Sequence, residues 1–223
     1  MKQSQLNQKL KSKKLPDSKL ERDLLDKGYS VIIGIDEVGR GCWAGPVYVG
    51  SFAYSRLTID VDGVNDSKKL SGKRREGLHK KLTDLNQFHI EIGSIDLINK
   101  SGIGKTITFL IENILEKFND LNAYFLIDGQ FSKKFGENTR QIIRGDGMHY
   151  SIAAASIIAK VERDKFMTGL AKKYDKWMFE KNKGYGTQDH ITAIEKYGIC
   201  DIHRTNYKPI MEYIEHQKER RQG

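Results

Sequence analysis

Cysteine is scarce in this sequence. Cys42 and Cys200 are the two among 223 residues, far apart, with no CxxC pair and no Cys/His cluster at zinc-ligand spacing. That excludes a disulfide framework and a thiolate metal site, and leaves two reduced thiols in an intracellular protein. Long apolar runs are also missing. None approaches the roughly 18 residues needed to cross a bilayer. The amino-terminal stretch MKQSQLNQKLKSKKLPDSKL has no apolar centre of the kind a secretory signal needs. A soluble, cytoplasmic protein with no membrane partner is expected. Negative charge is the minority sign, with 29 acids against 38 lysines and arginines, a net charge of +9 and a pI near 9.3. A basic excess of this size suits a polyanionic partner such as nucleic acid.

The length fits one α/β domain with a short appendage. Residues 1–28 read as a basic arm outside the core, carrying Lys2, Lys9, Lys11, Lys13, Lys14 and Lys19, with a helix possible from Asp17 to Leu25. The catalytic unit is then residues 29–223. YSVIIGID from Tyr29 is a β-branched apolar run that suits a buried strand, and PVYVGSFAY reads as a second, with Gly50 a candidate bulge. A polar loop leads to an amphipathic helix capped by Ser71, and FHIEIGSI alternates as a third strand. TITFLIENILEKF has helical period, AYFLIDG is a fourth strand buried on both faces, and RQIIRGDG is a fifth. Met148 to Tyr174 reads as one long helix, Thr187 to Gly198 as another, and the basic tail is helical from Ile210. The order predicts a mixed five-stranded sheet with helices on its faces and a helical C-terminal part.

Acids end the strands. Asp36 and Glu37 close the first, Asp128 the fourth, and Asp146 follows the fifth. A carboxylate left there without a partner costs several kcal/mol, and carboxylates gathered at one end of a sheet repel each other. A divalent cation resolves both problems. Oxygen ligands without His or Cys select a hard ion, Mg²⁺ or Mn²⁺, and two such ions can promote phosphodiester hydrolysis. Taken singly, each acid is better read as a cap, a turn former or an ion-pair partner; the three strand ends together favour the metal.

Other segments fit a nucleic-acid ligand. The turn Gly39-Arg40-Gly41 could offer main-chain groups to a ribose 2′-hydroxyl, the group that separates RNA from DNA. Ser67, Lys68 and Lys69 in DSKKL suit phosphate, and Tyr185 in KNKGYGT could stack on a base or sugar. Each has a bland reading as a structural turn, a solvated loop or a loop anchor. GIGKT at 102–106 is not a phosphate-binding loop, because GxxxxGK[ST] needs glycine where Asn99 stands. His149, His190 and His203 lack ligand spacing.

Together GIDEVGRG (34–41), AGPV (44–47), DSKKLS (66–71), LIDG (126–129), RGD (144–146), SIAAASIIAKVERD (151–164), KGYGT (183–187) and HR (203–204) resemble the ribonuclease HII family of type 2 ribonucleases H. The resemblance runs from about Val31 to Tyr207. It implies a ribonuclease H-like fold and a monomeric endonuclease. The implied substrates are RNA–DNA hybrids and DNA duplexes containing ribonucleotides, cut 5′ of the ribonucleotide to leave 3′-OH and 5′-phosphate ends. It implies two Mn²⁺ or Mg²⁺ ions held by Asp36, Glu37, Asp128 and Asp146, a 2′-hydroxyl read by Gly39, Arg40 and Gly41, and phosphate met by Ser67, Lys68 and Lys69. Tyr185 would stack on the next sugar, and Asp164 would stand behind the ligands. Departures from the family pattern are Asn182 for the His of HKGY, Thr205-Asn206-Tyr207 for the end of HRxSF, Cys42-Trp43 for Pro-Leu, and the stretch 99–105. The GRG turn and the short arm favour HII over the related HIII type. Two rival readings stay open, a DNA-only nuclease of the same broad fold and a non-catalytic nucleic-acid binder.

Overall fold

The structure is a computed structural model and describes residues 15–222. Its centre is β1 (Val31–Val38), apolar nearly throughout and buried on both faces. β2 (Val47–Tyr54) and then β3 (Phe88–Gly93) lie antiparallel on one side of it; β4 (Ala123–Asp128) and β5 (Thr139–Ile142) lie parallel on the other. The spatial order β3-β2-β1-β4-β5 is the mixed five-stranded sheet expected.

Alternation along β1 divides the core in two. Ile32 joins Phe52, Leu126, Ile152 and Ile157 beneath the long helix α5 (Tyr150–Leu170). Ile33 and Ile35 join Val49, Phe125 and the apolar face of α4 (Ile103–Lys117). α5 lies unusually close to the sheet because small residues meet there. A Cβ on Gly34 would stand 2.2 Å from the backbone of Ser151, and one on Gly50 2.9 Å from both Ala155 O and Ala159 Cβ. Gly50 is therefore a close-approach residue and not a bulge: its pairing with Asp36 continues the register of Ile35 with Ser51 and Glu37 with Val49.

The remaining helices are α1 (Lys19–Asp26), α2 (Gly72–Leu85), α3 (Ile95–Ser101), α6 (Phe179–Asn182), α7 (Gln188–Tyr197) and α8 (Lys208–Gln222). Ser71 accepts from Arg74 N at the start of α2, as read from sequence. α3 occupies part of the stretch that matched no family pattern, and the positive φ of Gly102, +81°, breaks it from α4. α5 ends at Leu170, not Tyr174; residues 171–178 continue in turns that hold Tyr174 and Phe179 against Met167.

The described part of the arm, residues 15–28, does not lie outside the core. Leu24 and Leu25 of α1 are buried, and so is Glu21, whose Oε1 accepts from the Ser151 N–H at 2.8 Å and the Ser151 hydroxyl at 2.7 Å. The carboxylate thus satisfies a free amide at the start of α5, where the helix dipole favours negative charge. The helix begins at Lys19, not Asp17, with Ser18 before it, while Asp17 Oδ1 accepts from Lys19 N at 3.1 Å. Lys2, Lys9, Lys11, Lys13 and Lys14 lie outside the described residues.

Candidate metal centre and nucleic-acid interface

The acids meet because of register. β1 and β4 run parallel with Ile35 beside Ile127, so Asp36 and Asp128 follow side by side on the face that packs under α5. Asp146 arrives from the short turn Gly145–Gly147 after β5, entered through Arg144 in a left-handed conformation, φ 58°. The Gly145 N–H donates to Asp128 Oδ1 at 2.6 Å and locks this turn to β4. One carboxylate oxygen from each of Asp36, Asp128 and Asp146 lies within 4.8 Å of the others.

Electrostatics make this cluster unstable by itself. Burial, then the charges of Glu37, Asp128 and Asp146, push the Asp36 carboxyl well above its ordinary range, against a hydrogen bond from Ser156. Asp146 is raised by burial and by Asp128 and Asp66, against Lys68. Lys68 approaches to 3.9 Å from Asp146. Burial alone would lower its ammonium, but Asp36, Asp146, Asp66 and Asp128 raise it. The donors are all oxygen, which fits a hard divalent ion and does not fit zinc or copper.

Glu37 is not part of this triad. Alternation turns it away from Asp36, and Arg40 Nη1 lies 3.3 Å from its Oε1. Burial nonetheless raises its carboxyl, Arg40 opposes the rise, and Asp128 adds to it. Asp164, two turns along α5 from Ser156, also stands apart and is paired with Lys160 at 2.9 Å. Ser67 is buried, with its hydroxyl 2.9 Å from that of Ser156, so it braces the loop from inside. Lys69 is partly exposed and pairs with Asp66 at 3.1 Å.

The glycine turn lies beside the acids. Gly39 has φ +94°, and a Cβ there would fall 2.2 Å from Arg163 Nε. Gly41 faces open space and Arg40 is exposed. Two fully buried arginines support the turn from below; both lie in motifs singled out in the sequence, which assign them no role. Arg163 donates to the carbonyls of Pro46 (2.9 Å), Lys183 (3.0 Å) and Ala44 (3.3 Å). Arg204 donates to Gly45 O (2.9 Å), Arg40 O (3.2 Å) and the Tyr207 hydroxyl (2.9 Å), and that hydroxyl also donates to Arg40 O. The signals in the sequence are a cation, Arg163, four residues after Ala159 on the apolar stripe of α5, and the HR pair that contains Arg204.

Tyr185 is half-buried, with Lys160 Nζ 5.3 Å and Arg163 Cζ 5.8 Å from its ring centre; burial foremost raises its phenol. The departures nearby are accounted for by packing. Asn182 is a buried turn brace, donating to Trp177 O at 2.6 Å and accepting from Gly184 N at 2.8 Å. Asn206 donates to Ile98 O at 2.6 Å. Burial lowers both His190 and His203, the latter to about 4, so the pair is neutral near pH 7 and joined Nε2 to Nε2 at 3.1 Å.

A family model described as Ribonuclease HII matches residues 33–210, most of the described chain and every acid above. The chain belongs to the ribonuclease HII family. It is thereby an endoribonuclease, a hydrolase of phosphodiester bonds. The ribonuclease HII of Caldicellulosiruptor bescii is 39% identical over 189 residues, covering 84% of this chain and 91% of its own. In fold, the chain is similar to ribonuclease H2 from Pyrococcus horikoshii OT3, with TM-score 0.69 and 23% identity over 85% of this chain and 99% of that one. It is also similar to Bst-RNase HIII solved in complex with Mn²⁺, with TM-score 0.65 and 20% identity over 86% and 71%. Among the described residues no helix is long and apolar enough to cross a membrane.

Proposed function

We propose that this ribonuclease HII-family chain hydrolyses the RNA strand of RNA–DNA hybrids and cuts 5′ of single ribonucleotides in duplex DNA, leaving 3′-OH and 5′-phosphate ends. The observation that carries the reading is the convergence of Asp36, Asp128 and Asp146, with the carboxyls of Asp36 and Asp146 pushed above their ordinary range by burial and by their acidic neighbours. These three would hold two divalent ions, Mn²⁺ or Mg²⁺, with Glu37 completing the set from the next position of β1. Such ions, when bound, supply activation of water and stabilisation of the leaving oxygen. The Mn²⁺ in the Bst-RNase HIII structure supports the choice of ion.

The chain's own groups do the selecting. Gly39, Arg40 and Gly41 would present backbone to the 2′-hydroxyl, since Arg163 holds Gly39 from behind and Gly41 leaves its outer side clear. Lys68 and Lys69 would meet phosphate beside the acids, and the Tyr185 ring would lie on the following sugar. Ser67 contributes by bracing its loop against Ser156, and Asp164 by holding Lys160 on α5. A monomer suffices, because all these groups come from one chain.

The test is a DNA duplex with one embedded ribonucleotide, incubated with and without Mg²⁺ or Mn²⁺. One metal-dependent cut 5′ of the ribonucleotide, absent from all-DNA duplex, is expected. Cleavage confined to long hybrids would remove the role of Tyr185 and keep the metal chemistry. Cutting of all-DNA duplex would favour the DNA nuclease reading, and binding without cleavage in any metal would favour the binder.

A further inference from the structure

We propose that the Cys42–Trp43 pair positions Tyr185 and so sets how strongly the enzyme prefers an isolated ribonucleotide over a continuous hybrid. The proposal rests on the reading of Tyr185 given above. These two residues are among the chain's departures from its family's pattern, and they follow directly on the glycine turn.

Contacts from this segment and its neighbour converge on Tyr185 and the residues that flank it. Cys42 is fully buried, and its thiol donates to Lys183 O at 3.7 Å. The same sulfur is an electrostatic neighbour of the Tyr185 hydroxyl. The residue before the tyrosine is clamped by backbone: Gly184 O accepts from Trp43 N at 2.7 Å and from Ala44 N at 3.3 Å. The residue after it is clamped by a ring, since a Cβ on Gly186 would stand 2.3 Å from the Trp43 indole. The Tyr185 carbonyl accepts from His190 Nδ1 at 3.0 Å, and the His190 ring lies 6.1 Å from that of Trp43.

The tyrosine therefore has little freedom of its own. Its hydroxyl and both flanking glycines are referred to residues 42–44, which are covalently continuous with Gly39-Arg40-Gly41. One short segment thus holds the backbone proposed to read the ribose and the ring proposed to read the next sugar at a fixed spacing. A junction between ribose and deoxyribose is recognised by both at once, and a uniform hybrid is not. Loosening the segment would blur that comparison while leaving the acids, on β1, β4 and the 145–147 turn, where they are.

The experiment compares kcat/KM on a duplex with one embedded ribonucleotide with kcat/KM on a uniform RNA–DNA hybrid, for wild type, Cys42→Ala, Cys42→Ser, Trp43→Leu and Tyr185→Ala. Cys42→Ala and Trp43→Leu are expected to lower the ratio about tenfold, towards that of Tyr185→Ala. Cys42→Ser keeps a hydrogen-bonding group of similar size and should stay within about twofold of wild type, which also guards against a variant that merely folds badly. Adding Cys42→Ala to Tyr185→Ala should lower the ratio no further, because the residue acts through the ring. A ratio that falls in Tyr185→Ala and is unchanged in both Cys42→Ala and Trp43→Leu overturns the proposal alone. A ratio unchanged in Tyr185→Ala overturns the reading of the tyrosine, and the proposal with it.

Discussion

Asp36→Asn is expected to abolish cleavage and, in the same molecule, to raise the melting temperature of the metal-free protein. The activity loss should reach about 10³-fold or more, because the variant removes a charged ligand from the centre of the site. The stability gain follows from the electrostatics. Asp36 is 5% exposed, surrounded by Glu37, Asp128 and Asp146, and its carboxyl is pushed well up. An asparagine keeps the shape and removes the repulsion. For a chain of this size each 1 kcal/mol moves the midpoint by about 2–4 °C, so a rise of several degrees is readable by calorimetry.

The pH dependence shares its origin. Asp36 and Asp146 have folded-state pKa values raised above their unfolded ones. Their contribution to stability is fully present below the unfolded carboxylate range and is lost as pH rises through the raised values. Metal-free wild type should therefore gain stability as pH falls from neutral, and Asp36→Asn should show a shallower slope. Metal reverses the trend, because it binds the ionised carboxylates in competition with protons. A variant less stable than wild type without metal, with the same pH slope, would contradict this picture of the acids.

Arg163→Met should have the largest effect on folding. Its guanidinium is fully buried and serves the carbonyls of Pro46, Ala44 and Lys183. Methionine fills much of the space but removes the Arg163 donor from the Pro46 and Ala44 carbonyls and leaves Lys183 O with only the weak Cys42 thiol, at about 1–3 kcal/mol for each acceptor left unpaired. The total is a large share of the roughly 5–15 kcal/mol by which a domain is stable. Arg163→Lys should not rescue it, since one ammonium cannot reach three carbonyls that a planar fork spans. Urea unfolding of the two variants checks this; a loss under about 1 kcal/mol in Arg163→Met would show that the three carbonyls find other partners.

The sheet and its acids were legible because each depends on local pattern. An apolar run that stops at a carboxylate marks a strand end whatever the tertiary structure, and Asp36, Asp128 and Asp146 were found that way. What decides between Asp36 and Glu37 is which face of β1 packs under α5, a long-range fact carried by Gly34 and Ser151. Gly50 read as a bulge for the same reason, since the helix that needs its missing side chain lies about a hundred residues on. Glu21 and α1 were hidden by their neighbours: lysines on either side made the segment look solvated, while Leu24, Leu25 and the amide of Ser151 draw it inside. Arg163 and Arg204 lie inside motifs that the sequence shows, but their bracing role was not legible because their partners are mostly backbone carbonyls, which carry no signal in sequence.

The central claim is that Asp36, Asp128 and Asp146 form a divalent-metal centre, and the most direct test is Mn²⁺ binding to wild type and Asp128→Asn, followed by calorimetry on the folded proteins. The account predicts saturable binding to wild type and an affinity weakened by at least about tenfold in Asp128→Asn, with the far-ultraviolet spectrum unchanged. Equal binding by the two proteins would contradict it.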